Sequence, residues 1–263
     1  MNAHGSFIPF AVFSPILDLK LLQKPLLRIE NKGRLAGLLY LLSGIPSGFY
    51  LMYVDQVLIV PGNAAATASN ILANETLFRL GIVSELVSTI LFIFVVRALH
   101  SLLSGVNRGN ASLMVTLWMV SVPVSFANVL SKAAALILLS GGNFLSVFQT
   151  NQLRALAMVF LNLHSEGITV VSIFWGLWLL PFGLLVYRSG FIPRILGIFL
   201  MTAGIAIVAN SLVDLLLPQF ANAVSPIELS LDALGEGSIL AWLIVKGANV
   251  PQIDSNNHVV RAK

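Results

Sequence analysis

The chain has 263 residues, 57% of them hydrophobic and only 10% charged, with a mean hydropathy of +0.90. A water-soluble domain carries roughly 25% charged residues, so this composition excludes an ordinary soluble globule and points to the bilayer. The net charge of +4 does not indicate nucleic acid, because the basic residues fall between apolar runs rather than along one face.

Taken in chain order, Phe7 to Phe13 is apolar but interrupted by Pro9, with no basic stretch before it and no small-residue cleavage site after it. It is therefore not read as a signal peptide. Ser14-Pro15 reads as an N-cap followed by proline at the first helical position, which opens a short helix over 14–27. That helix is expected to lie on the cytoplasmic membrane face, with Ile16, Leu19 and Leu22 on one side.

A helix needs about 20 mainly apolar residues to cross ~30 Å of hydrocarbon. Six segments qualify: 35–54, 77–97, 112–138, 167–187, 195–216 and 227–245. The expected fold is therefore an all-α integral membrane bundle of six transmembrane helices. It divides into a cytoplasmic segment over 1–33, a membrane domain over 34–247 and a polar cytoplasmic tail over 248–263. Further interfacial helices are expected in the first outer loop, where Asn63 caps an alanine-rich run, and over 151–163, before the fourth span.

The positive-inside bias agrees with six spans and both termini in the cytoplasm. Lys20, Lys24, Arg28, Lys32, Arg34, Arg97, Arg108, Arg188, Arg194, Lys246, Arg261 and Lys263 then fall inside. Only Arg79 and Arg154 fall outside, and Lys132 lies within a span.

Polar residues recur at helical spacing within the spans: Ser121, Ser125, Asn128 and Lys132 in the third, and Glu228, Asp232 and Glu236 in the sixth. The fifth carries Thr202, Asn210 and Asp214, and the second Glu85, Ser88 and Thr89. Each set shares one helix face, which must turn away from lipid. At 1.5 Å per residue, Lys132, Glu85 and Glu236 all lie roughly 10–13 Å from the outer ends of their spans. An unpaired charge there costs ~3 kcal/mol on lenient insertion scales, so Lys132 is expected to pair with Glu85 or Glu236.

Glu85, Asp214, Asp232 and Glu236 outnumber that single cation. Either water reaches the carboxylates or some of them carry a proton. With Lys132, Asn128 and Asn210 they form the candidate binding cluster, suited to a small cationic or amphiphilic molecule or to proton coupling through Glu85 or Glu236. The competing reading is a structural network that joins helices. Gly44 and Gly48, a G-x-x-x-G in the first span, are the expected close-packing residues, within the bundle or in a homodimer.

Chemistry is thinly represented. There is no cysteine, no H-x-x-x-H pair, no G-x-S-x-G elbow and no phosphate-binding loop. No catalytic residue, metal or cofactor is therefore expected. An intramembrane enzyme centred on His164 and Glu166 is the remote reading, and His164 reads first as a loop or interfacial histidine.

The stretch Val60-Pro61-Gly62-Asn63-Ala64-Ala65-Ala66-Thr67-Ala68 carries a family resemblance, together with Leu35-Ala36-Gly37-Leu38-Leu39-Tyr40-Leu41-Leu42 before it. Gln152-Leu153-Arg154-Ala155-Leu156-Ala157, Leu161-Asn162-Leu163-His164 and Ser189-Gly190-Phe191-Ile192-Pro193-Arg194-Ile195-Leu196-Gly197 extend it. Together they resemble the bacterial multi-pass membrane proteins of domain-of-unknown-function family four-three-eight-six, over about residues 30–248. That family usually has aspartate where Asn63 stands. The resemblance implies a helical fold in a bacterial inner membrane, and no activity.

Overall fold

The computed structural model describes residues 32–248. The expected interfacial helix over 14–27 and the polar tail beyond Ala248 lie outside the described residues. Within them the chain is helical. Helix α1 spans Lys32–Gly48 and runs through a π-helical turn, Phe49–Val54, into α2, Asp55–Leu58. Helices α3, Ala64–Ala73, and α4, Glu75–Leu103, follow, then α5, Arg108–Ser140, and α6, Thr150–Ser189. Helix α7 covers Arg194–Leu216 and α8 Ala221–Val245.

Five stretches are long and apolar enough to cross a bilayer: Lys32–Leu58, α4, α5, α6 and α7. Helix α8 has 25 residues, but Glu228, Asp232 and Glu236 set it apart from the other five. The chain is a multi-pass membrane protein whose outward side chains, among them Ile45, Leu80, Phe94, Leu130 and Ile205, are apolar and exposed.

The long helices close into a ring. Helix α1 packs on α4, α4 on α5, α5 on α6, α6 on α7, α7 on α8, and α8 returns to α1. At the closing seam the Gly33 amide donates to the Ala248 carbonyl at 3.0 Å, and Arg34 Nη2 reaches the Val245 carbonyl at 3.3 Å. The start of α1 thus lies beside the end of α8, so the two run antiparallel.

Glycine makes the closest approaches, but not the glycines expected. A Cβ on Gly44 or Gly48 would meet nothing within 4 Å, so among the described residues this pair packs against no helix. The close seam lies between α6 and α7. There a Cβ on Gly176 would come within 2.7 Å of the Gly204 carbonyl oxygen, and one on Gly183 within 2.6 Å of that of Gly197. Both pairs are seven residues apart in their helices, so the backbones touch at two successive levels.

Residues 151–163 do not form a separate surface helix. They are the first turns of α6, which runs unbroken for 40 residues, because no helix breaker separates the two parts. Asn63 caps α3 as its position suggests, its side chain accepting from the Ala66 amide at 2.9 Å. Asn63→Ala is expected to lower stability by about 1 kcal/mol and Asn63→Asp to leave it nearly unchanged, as read from thermal midpoints in detergent.

The π-helical turn positions functional side chains. Pro46 removes a backbone donor from α1, and the helix widens one turn later. The Asp55 amide then bonds back to the Tyr50 carbonyl, five residues earlier. This places Asp55 against Lys132, and Tyr50 both beneath Lys132 and in the wall of the central cavity.

A candidate ligand site and a buried ion network

The polar residues separate into two assemblies rather than one layer. The first surrounds Lys132, which is 1% exposed. Its Nζ lies 3.0 Å from both carboxylate oxygens of Asp55 and 3.2 Å from Glu85 Oε2. Glu85 in turn faces His164 Nε2, at 3.0 and 3.1 Å from its two oxygens. Asn128 Nδ2 donates to the His164 carbonyl at 2.9 Å and fixes α5 against α6. The Lys132 ammonium also lies over the Tyr50 ring, 5.2 Å from its centroid.

Of the two carboxylates named as partners of Lys132, Glu85 meets it and Glu236 does not. Asp55 takes that second place. It stands at the end of the first apolar stretch and reads as a boundary residue, because a π-helical turn that rotates it inward leaves no mark on hydrophobic periodicity. His164 is buried against Glu85, which corrects the reading of a loop or interfacial histidine. Since α6 begins seventeen residues earlier than the span expected there, His164 lies within the helix. Glu166 is exposed, so the two do not form a catalytic pair.

The second assembly is a cavity of about 340 Å³ at the centre of the ring, with all six long helices in its wall. Helix α8 contributes Glu228, Asp232 and Glu236, four residues apart and therefore on one face. Helices α4, α5 and α6 contribute Phe92, Trp118, Trp175 and Trp178 to the same lining. Tyr40, Tyr50, Ser43, Ser47, Ser88, Thr89, Ser125 and Ser172 complete the polar lining, and no lysine or arginine is among the lining residues. Tyr40 Oη donates a short hydrogen bond to Glu236 Oε2. Asp232 Oδ1 and the indole nitrogens of Trp118, Trp175 and Trp178 are buried without a hydrogen-bond partner.

The aromatic rings of the lining pack on one another. Phe92 stacks on Trp118 at 3.8 Å between centroids, and the Phe92 and Trp178 rings meet edge to face at 5.4 Å. Gly44 belongs to this lining, where the absence of a side chain leaves space inside the ring.

Asp214 and Asn210 join neither assembly. Asn210 Nδ2 donates to Asp214 Oδ2 at 3.3 Å, and Ser225 Oγ donates to Asn210 Oδ1 at 3.2 Å, tying α7 to α8. Thr202 faces outward, contrary to the expectation that its face avoids lipid. Its hydroxyl is satisfied by the Ile198 carbonyl of its own helix at 3.0 Å, so lipid exposure leaves no donor unpaired.

No curated protein and no solved structure gives a significant match to this chain. A family model does match, that of the domain of unknown function DUF4386, over residues 35–247. With most of its length inside that match, and a helical membrane fold as the resemblance implies, the chain belongs to the DUF4386 family.

Proposed function

We propose that this protein binds a small organic cation in the central cavity and carries it across, or holds it within, a bacterial inner membrane. The observation that carries this reading is the lining itself: three carboxylates on one wall, four aromatic rings in the same lining, and no basic side chain. A cation over an aromatic face gains about 0.5–2 kcal/mol, most where water is excluded. Carboxylates within the bundle need a counter-charge or water, and an entering cation supplies the first. The volume of about 340 Å³ lies at the small end of the ligand-pocket range, which favours a compact headgroup over a long chain.

In this reading α8 is a sixth span, with both termini in the cytoplasm. Its antiparallel course along α1 and its place in the ring support that. So does the direction of its charges, which face the cavity instead of lipid. Lys32, Arg34, Arg97, Arg108, Arg188, Arg194 and Lys246 then gather at the cytoplasmic ends of the helices.

A specific observation favours a second reading. Lys132 and its partners are mutually satisfied, as a purely structural or partner-binding membrane component would require. Titration of the purified protein separates the two readings, with tryptophan emission and thermal midpoint as signals. The probes are tetramethylammonium, a linear diamine and the similarly sized neutral analogue neopentyl alcohol. A cation site predicts saturable quenching and stabilisation by one or both cations but not by the alcohol. Asp232→Asn should weaken the response at least about tenfold, the equivalent of one charge-assisted contact. Equal responses to cations and alcohol, or none to any probe, would leave the structural reading in its place.

A further inference from the structure

The ion network around Lys132 is separate from the cavity, and its composition has a chemical consequence of its own. Four side chains from four elements form one continuous line: Asp55, Lys132, Glu85, His164. The Asp55 side chain is 20% exposed, whereas Lys132, Glu85 and His164 are 1%, 3% and 6% exposed. The line therefore has its more exposed end at Asp55 and runs from there into the bundle. Tyr50 is the other titratable group facing it, from the π-helical turn. Helix α3 contains no titratable residue, and Glu166 of α6 is exposed away from it.

Two carboxylates and one ammonium leave this buried group one positive charge short of balance. Its remaining member is an imidazole. Both oxygens of Glu85 face Nε2 of that ring, so Nε2 carries the hydrogen between them and Nδ1 is the atom left to accept another. We propose that Asp55, Lys132, Glu85 and His164 form a proton-binding site, loaded through Asp55 at its more exposed end and holding its proton on His164 Nδ1. Protonation converts the line to two cations and two anions, an alternating and neutral arrangement. Deprotonation leaves Lys132 as the sole counter-ion of both carboxylates.

The site is placed to act on the cavity. Tyr50 lies beneath the Lys132 ammonium and also lines the cavity. Thr89, another lining residue, donates to the Glu85 backbone carbonyl at 3.0 Å. A change in the pull on Lys132 therefore reaches two cavity residues through direct contacts. A histidine is the side chain suited to such a change near neutral pH.

The test uses full-length protein labelled with 15N-histidine, in detergent micelles or nanodiscs, and needs no ligand. His164 is one of four histidines and is identified by the resonances lost in His164→Gln. If that variant does not fold, His4→Gln, His100→Gln and His258→Gln identify it by elimination. The proposal expects the His164 Nδ1 resonance to move reversibly between about pH 5 and about pH 8, the window in which histidine changes charge. It also expects the pH profile to change in Asp55→Asn, because the line is electrostatically continuous. A resonance fixed in one state across that range overturns the proposal, and so does a profile indifferent to Asp55→Asn. Either failure leaves the cation titration of the cavity untouched, so the two readings stand or fall separately.

Discussion

Replacing Lys132 by methionine is expected to destabilise the protein by about 3–5 kcal/mol, the range for removing one partner from a buried ion pair. The large value follows from what stays behind. Asp55 and Glu85 both spend a carboxylate on this one ammonium, at 3.0 and 3.2 Å, and Glu85 is 2% exposed. Methionine fills the space of the lysine stem but leaves both anions without a counter-charge. A triple variant, Lys132→Met with Asp55→Asn and Glu85→Gln, is expected to recover most of the loss, since polar groups left neutral do not carry the penalty of an unpaired charge. Thermal midpoints and helicity in detergent check both statements. A single variant as stable as the parent protein would sink the paired-charge account.

The second large effect is expected at the α6–α7 seam. Gly176→Ala and Gly183→Ala should each cost about 1–3 kcal/mol, the range for inserting a methyl group into a close-packed contact. The added Cβ would meet a backbone carbonyl at 2.7 or 2.6 Å, and a backbone atom cannot turn aside as a side chain can. Gly44→Ala serves as the control. Its Cβ meets nothing within 4 Å, so stability should change by no more than a few tenths of a kcal/mol. Unfolding of the three variants by denaturant in mixed micelles provides the comparison. A Gly44 variant as damaged as the Gly183 variant would contradict the seam.

These two results probe different kinds of legibility. Lys132 stands out in the chain as a lone cation among apolar residues, and the need for a carboxylate partner follows from bilayer solvation alone. The identity of both partners does not. Glu85 shares its depth, but so does Glu236, and only the ring order of the helices puts α4 beside α5 and turns α8 toward the cavity. The glycines show the converse. Gly44 and Gly48 match a familiar spacing but face open space, whereas Gly176 and Gly183 repeat at seven residues, as do Gly197 and Gly204, and only the packing of α6 on α7 brings the two pairs together.

Composition and pattern determined that the chain is helical, that it lives in the bilayer, where the apolar stretches lie and which polar residues share a face. All of these depend on one residue's solvation or on its neighbours along the helix. Tertiary structure decided the rest: that Asp55 turns inward, that His164 is buried, that Asp214 stands apart, and that three tryptophans and three carboxylates enclose one cavity. Those outcomes depend on which helices become neighbours and on a single widened turn. Lipid is equally apolar against every outward face, so hydrophobicity cannot choose among neighbours in a membrane. Close backbone contact and the pairing of buried charges do so instead.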